Sequence, residues 1–226
     1  MFIVPKPELH VGQVVSNPFD ENTYIVHWEG REDCIVFDPG FDPKAIFDYL
    51  TEHSLTPAAI VCTHGHSDHI AGNDALKQRW PGCPLVIGAG DAEKLINPAL
   101  NLSAAFGFPM TSPPADRVLN EGDVFAAAGL ELEVLEAPGH SSGHIVLVCK
   151  QIEPWQVVGG DVLFSGSIGR TDFPDGSFEE LSSAIHGKLF TLPDDTIVLP
   201  GHGPATTIGR EKRTNPFVGA PAGYVA

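Results

Sequence analysis

Residues 61 to 70 read VCTHGHSDHI, and no other stretch restricts the fold of this chain as strongly. The apolar run PAAIVC leads directly into His64, His66, Asp68 and His69. Residue spacings of two, four and five do not share one helix face, since each residue turns the helix by about 100°. From a tight loop at the end of a strand, the same side chains can fan toward two neighbouring points. Three imidazoles and a carboxylate crowded together cost desolvation and mutual repulsion unless something positive is shared among them. Imidazole suits zinc or iron, and carboxylate suits harder metals, so the run predicts a metal site at the end of a buried strand.

The rest of the chain supplies a frame for such a site. Runs rich in Val, Ile and Leu recur as GQVVS, TYIVHW, CIVFD, AAIVCTH, PLVIG, LELEVLEA, HIVLVCK, WQVVGGD and TIVLPGH. Between them lie helix-like segments at 42–54, 68–80, 90–100 and 177–191. The last opens with Ser177 and has Glu180 three residues on, the spacing of a capping box. Strands alternating with helices, and hairpin-like pairs among them, predict β-sheets covered by helices. No linker, short-period repeat or charge run marks a boundary. The expectation is one domain over residues 1–226, with 215–226 a short C-terminal tail.

Four strand-like runs end in a residue suited to holding metal. AAIVC runs into His64, LEVLEAPG into His140, WQVVGG into Asp161 and TIVLPG into His202. Ligand sites of layered α/β folds gather at such strand ends, where loops carry chemistry on a rigid base. His144 follows His140 by four residues but opens an apolar run, so it is read as core.

Charge and cysteine usage narrow the function classes. Lys and Arg number 13 against 29 Asp and Glu, a formal charge of −16. That surface repels nucleic-acid backbones and anionic membranes. Four widely spaced cysteines without a Cys-x-x-Cys pair argue against a disulfide framework or a thiolate zinc site. No apolar run reaches the length of a membrane span and no export signal is visible, so a cytoplasmic location is expected.

Thr63 to His69 resembles the Thr-His-x-His-x-Asp-His run of the metallo-β-lactamase superfamily. The resemblance covers nearly the whole chain and implies an α/β fold, an αββα sandwich of two mixed sheets flanked by helices. It further implies two divalent metal ions, zinc first, with iron or manganese as alternatives. His64, His66 and His140 would hold one ion and Asp68, His69 and His202 the other. Asp161 would bridge them, and Asp68 and Asp161 would share in catalysis. Asp38 in FDPG resembles a residue that orients the metal site, with a turn-forming role as the alternative.

Within the superfamily the chain is most similar to the short type of hydroxyacylglutathione hydrolase, or glyoxalase II. The stretches NPFDENTYIV, GGDVLFSGSIGRTDFP and LPGHGPATTIGREKRTNPF carry that likeness. It implies a hydrolase that cleaves thioesters such as S-lactoylglutathione through a bridging hydroxide, giving a hydroxy acid and glutathione. The alternative on the same scaffold is a mononuclear-iron persulfide dioxygenase, which also reads GRTDF and would use His64, His140 and Asp161. Where the hydrolases usually offer a Lys and a Tyr to glutathione, this chain has Arg170 and Asp172. Arg170 is expected either to clamp a substrate carboxylate or to pair with Asp172.

Overall fold

The computed structural model describes residues 7–225. Strands β1 (Leu9–Ser16), β2 (Glu21–Trp28), β3 (Asp33–Phe37), β4 (Thr56–Cys62), β5 (Leu85–Gly88) and β6 (Arg117–Leu119) form one sheet in that order. β1 to β3 pair antiparallel and β3 to β6 parallel. The second sheet contains β7 (Val124–Ala127), β8 (Leu130–Glu136), β9 (Ile145–Cys149) and β10 (Gln156–Gly160). After a small hairpin of β11 (Leu163–Phe164) and β12 (Ser167–Ile168), β13 (Ile197–Pro200) and β14 (Thr206–Thr207) complete it. Its order is β14-β13-β10-β9-β8-β7, with β10 and β13 parallel and the other neighbours antiparallel.

Interior strands such as β3, β5 and β9 are apolar on both faces because both faces are covered there, while β1, β7 and β8 alternate buried and exposed residues. In β9, Ile145 and Leu147 point between the sheets, where they meet Phe37, Val61 and Val86 of the first sheet. The alternate residues Val146 and Val148 point outward and pack with Leu181 and Ile185 of α4 (Phe178–Gly187) and Ile208 of α5 (Ile208–Thr214). On the far side, Ile46 and Leu50 of α1 (Pro43–Glu52) and Leu76 of α3 (Asn73–Arg79) cover Ile60 and Ile87. Helix, sheet, sheet, helix is the expected four-layer order.

The helix expected over 68–80 is two helices, α2 (Ser67–Ile70) and α3, interrupted at Gly72. Gly72 N–H donates to the Pro39 carbonyl at 2.7 Å. A Cβ at Gly72 would stand 2.8 Å from the Gly40 carbonyl oxygen. Packing against the FDPG turn therefore breaks the helix and leaves α2 free to orient Asp68 and His69 separately from α3. The segment expected over 90–100 is a 3-10 helix, Ala89–Ile96, ending before Pro98. From Asn215 onward the described chain is docked on the body: Asn215 and Val218 are buried, and the Tyr224 ring lies 4.9 Å from that of Phe190.

Strand direction fixes the position of the candidate site. β8, β10 and β13 run the same way, so their C-terminal ends share one rim. The Ile145 N–H donates to the Thr63 carbonyl at 2.9 Å, which brings the end of β4 to that rim as well.

Candidate metal centre

The rim gathers all seven sequence-derived donors. His64 follows β4, His66 caps α2, and Asp68 and His69 lie on α2. His140 sits between β8 and β9, Asp161 directly after β10, and His202 two residues after β13. His64, His66 and His140 converge so that one donor atom from each lies within 4.8 Å of the others, and so do Asp68, His69 and His202. Asp161 stands between the groups. Its Oδ1 is 3.4 Å from His69 Nε2, and its Oδ2 is 3.4 Å from His140 Nε2 and 3.5 Å from His202 Nε2.

Outer hydrogen bonds set the imidazole tautomers. His140 Nδ1–H donates to the Arg170 carbonyl at 2.9 Å and His202 Nδ1–H to the Phe19 carbonyl at 3.0 Å. His69 Nδ1–H meets Asp38 Oδ2 at 3.1 Å. Each bond leaves the Nε2 lone pair aimed into the cluster. Thr63 Oγ1 donates to Asp38 Oδ2 at 2.7 Å and so accepts from His64 Nδ1–H at 3.1 Å. Asp38 groups geometrically with His64 and His69, but its oxygens are already occupied by Thr63 and His69. It braces donors rather than adding one.

These residues fit a metal on two grounds. His64 Nε2, His66 Nε2, His69 Nε2 and Asp161 Oδ1 are buried without a hydrogen-bond partner, a costly state for polar atoms unless a cation uses them. A tetrahedral ion with bonds of about 2.0–2.1 Å holds neighbouring donors roughly 3.3 Å apart. The Nε2–carboxylate separations of 3.4 and 3.5 Å match that edge length.

The two groups differ electrostatically. Burial and neighbouring imidazoles push His64 well below its ordinary pKa, and burial with His140 takes His66 down to about 3. Both present neutral lone pairs. Burial also opposes charge on His69, yet Asp161, Asp68 and Asp38 outweigh it and raise this imidazole well above its ordinary value. A field that holds a proton so firmly favours any cation at that point. Burial raises the Asp68 and Asp161 carboxyls, but His69 and its fellow imidazoles outweigh it and hold both below the usual carboxylate range.

Two glycines permit the close packing. Gly160 has φ +46°, and a Cβ there would stand 2.3 Å from Thr63 Oγ1 and 2.7 Å from His144 Nε2. A Cβ at Gly201 would stand 2.2 Å from Asp161 Oδ1. His144, read as core, is fully buried, and its Nε2 accepts the Asp161 backbone N–H at 3.0 Å. It positions the carboxylate without facing the cavity.

Sequence reasoning missed a second set of residues. Asp91 accepts the N–H groups of Gly65 and Gly143, each at 2.8 Å, and the Ser141 hydroxyl. Lys94 Nζ lies 3.1 Å from Asp91 and 2.5 Å from Asp175. One buried carboxylate thus ties the loop of His64 and His66 to the loop of His140. The only signal in the sequence was an Asp and a Lys three apart in a short helical segment. Glu21, fully buried behind the centre, was missed too, and burial pushes its carboxyl well above the ordinary value.

His66, Asp68, His140, Asp161 and His202 line the floor of a cavity of about 400 Å³, walled by Phe19, Leu102, Phe106, Phe164, Ile168 and Phe173. Arg170 reaches this wall, and its guanidinium lies 4.3 Å from the Phe173 ring centroid. It is also held by Asp172 through two 2.7 Å contacts on the solvent side. The structure thus places Arg170 at the cavity and Asp172 behind it.

Known proteins are similar to this chain in sequence and in fold. Residues 16–202 match the family model described as the metallo-beta-lactamase superfamily. The chain is 38% identical over 203 residues to hydroxyacylglutathione hydrolase GloC of Haemophilus influenzae, covering 88% of this chain and 93% of that one. The structure of the BLEG-1 B3 metallo-beta-lactamase superposes with TM-score 0.88 at 36% identity, over 92% of this chain and 99% of that one. A di-iron-bound form of TTHA1623 superposes with TM-score 0.80 at 35% identity, over 92% of this chain and all of that one. The chain belongs to the metallo-beta-lactamase superfamily of metal-dependent hydrolases, and its rim holds clusters of His and Asp that could bind divalent metal.

Proposed function

We propose that the chain hydrolyses acyl-thiols, S-lactoylglutathione among them, at a dinuclear metal centre. His64, His66 and His140 hold one ion, Asp68, His69 and His202 hold the other, and Asp161 lies between. The observation that carries the reading is the position of the Asp161 carboxylate, with one oxygen facing His69 and the other facing His140 and His202. Bound metal supplies a Lewis acid for the thioester carbonyl and lowers the pKa of bound water toward neutrality.

The chain's own residues explain why a thioester suits the site. Outside the donors, the polar side chains of the cavity wall among the described residues are two serines and a salt-bridged arginine. Asp68 and Asp161 are held as carboxylates, so neither has a proton to give a poor leaving group. A thiol, with pKa near 8.5, departs as thiolate without that help, whereas an amide nitrogen must be protonated as it leaves. No protein nucleophile is needed. Cys62 is fully buried beneath the loop, and burial raises its thiol pKa. The GloC relative, a hydroxyacylglutathione hydrolase by name, supports the same chemistry.

The test is a side-by-side assay of S-lactoylglutathione, a β-lactam and a phosphodiester on metal-replete protein. The reading expects thioester turnover to exceed the other two by orders of magnitude. A faster β-lactam reaction would refute it.

A further inference from the structure

Resting on that reading, we infer that the substrate is a ring-bearing, apolar acyl-thiol that carries no charge where it meets the cavity wall. Aromatic rings flank the centre on several sides. Phe173 lies 5.2 Å from the His66 ring and 5.9 Å from that of His140, and Phe164 lies 6.1 Å from His202. Phe106 packs against Phe19 at 5.9 Å and Phe108 at 6.2 Å, yet it stays half exposed. A bare ring kept at the mouth of a polar centre costs hydration and gains contact once an apolar guest arrives.

The wall also lacks what an anionic peptide thiol needs. Arg170, the one Lys or Arg among the described residues that line it, is neutralised by Asp172. The chain around it carries a formal charge of −16. Two substrate carboxylates would therefore find no free partner on the cavity wall among the described residues, while a ring would find aromatic faces and edges. Hydrolysis adds one water across the C–S bond. The acid keeps the water oxygen, and the thiolate leaves with the bond pair and takes a proton from solvent.

Two substrate pairs distinguish a ring on the acyl side from one on the thiol side. They are phenylacetyl against acetyl esters of N-acetylcysteamine, and benzyl against methyl thioesters of lactate. On metal-loaded protein, at least one pair should show a kcat/KM ratio of about tenfold or more in favour of the ring. Phe106→Ala and, separately, Phe173→Leu should cut that ratio severalfold. Calorimetry with the matching ring-bearing thioether, which cannot be hydrolysed, should show binding that Phe106→Ala weakens. Ratios near one in both pairs, or S-lactoylglutathione outrunning every ring-bearing ester, would overturn the inference. If no thioester turns over, the hydrolase reading fails by itself, and the thioether titration decides this one: binding lost in Phe106→Ala supports it, and no binding overturns it.

Discussion

Asp38 and His69 meet at 3.1 Å, carboxylate Oδ2 to imidazole Nδ1, with both side chains buried. The same carboxylate also accepts from the Thr63 backbone N–H at 2.6 Å and its hydroxyl at 2.7 Å. It thereby turns His69 Nε2 toward Asp68 and Asp161. Asp38→Ala should weaken metal binding at the Asp68–His69–His202 group by about 10–100-fold. A chelator-competition titration reads this directly. Unchanged affinity would mean that the loop orients His69 without Asp38.

Asp172 neutralises Arg170, so removing it should alter substrate preference. Asp172→Ala leaves the guanidinium at the cavity wall free to meet a substrate carboxylate. The Michaelis constant for S-lactoylglutathione should fall severalfold while kcat holds, the pattern of added uniform binding. Arg170→Ala should not produce that fall. Both side chains are exposed, so the thermal midpoint should stay in place in either variant.

The Asp175–Lys94 contact predicts an acid limit to stability. Burial pushes the Asp175 carboxyl up, but the Lys94 ammonium and the Ser142 N–H outweigh it and bring it to about 2. An unfolded Asp titrates near 3.9. The folded state therefore binds fewer protons between those values, and the stability from this contact is complete above about pH 4 and lost as pH falls toward 2. Urea midpoints across that window should fall less steeply in Asp175→Asn than in the parent. Equal slopes would show that other carboxylates account for the acid limit.

Asp91 is buried and supported by Lys94, so breaking the pair should cost far more than losing a surface bridge. Lys94→Met leaves the carboxylate uncompensated between the two donor loops, a change that typically costs about 3–5 kcal/mol. A large drop in thermal midpoint together with weaker metal binding at the His64–His66–His140 group is expected. Asp91→Asn should recover part of the stability when combined with Lys94→Met, because it removes the unpaired charge.

The legibility of this chain followed the range of its interactions. All the longer strands stood out, since runs such as IVLVC are covered on both faces and must be apolar throughout. The edge strands β6, β7 and β14 were not legible, being short and apolar on one face at most, whereas the equally short but interior β5 and β13 stood out as PLVIG and TIVLPGH. The helix α5 in IGREKRT was missed for the same shortness. The break at Gly72 depends on contact with the FDPG turn some 30 residues earlier, which local pattern does not encode. The seven candidate donors were legible in the sequence through the His-x-His-x-Asp-His run and through His140, Asp161 and His202, polar residues that close apolar strands. Asp91, Lys94 and Glu21 were not, because their roles arise from partners distant in sequence, such as Gly143 and Asp175.

The most direct test of a dinuclear hydrolase is thioester turnover measured against added metal equivalents on stripped protein. Activity should climb to a plateau at two ions per chain. His69→Ala and His202→Ala should each bind about one ion and lose several orders of magnitude in kcat/KM. A plateau at a single ion, with both variants fully active and iron-loaded protein consuming oxygen with glutathione persulfide, would contradict the account and identify a mononuclear oxygenase instead.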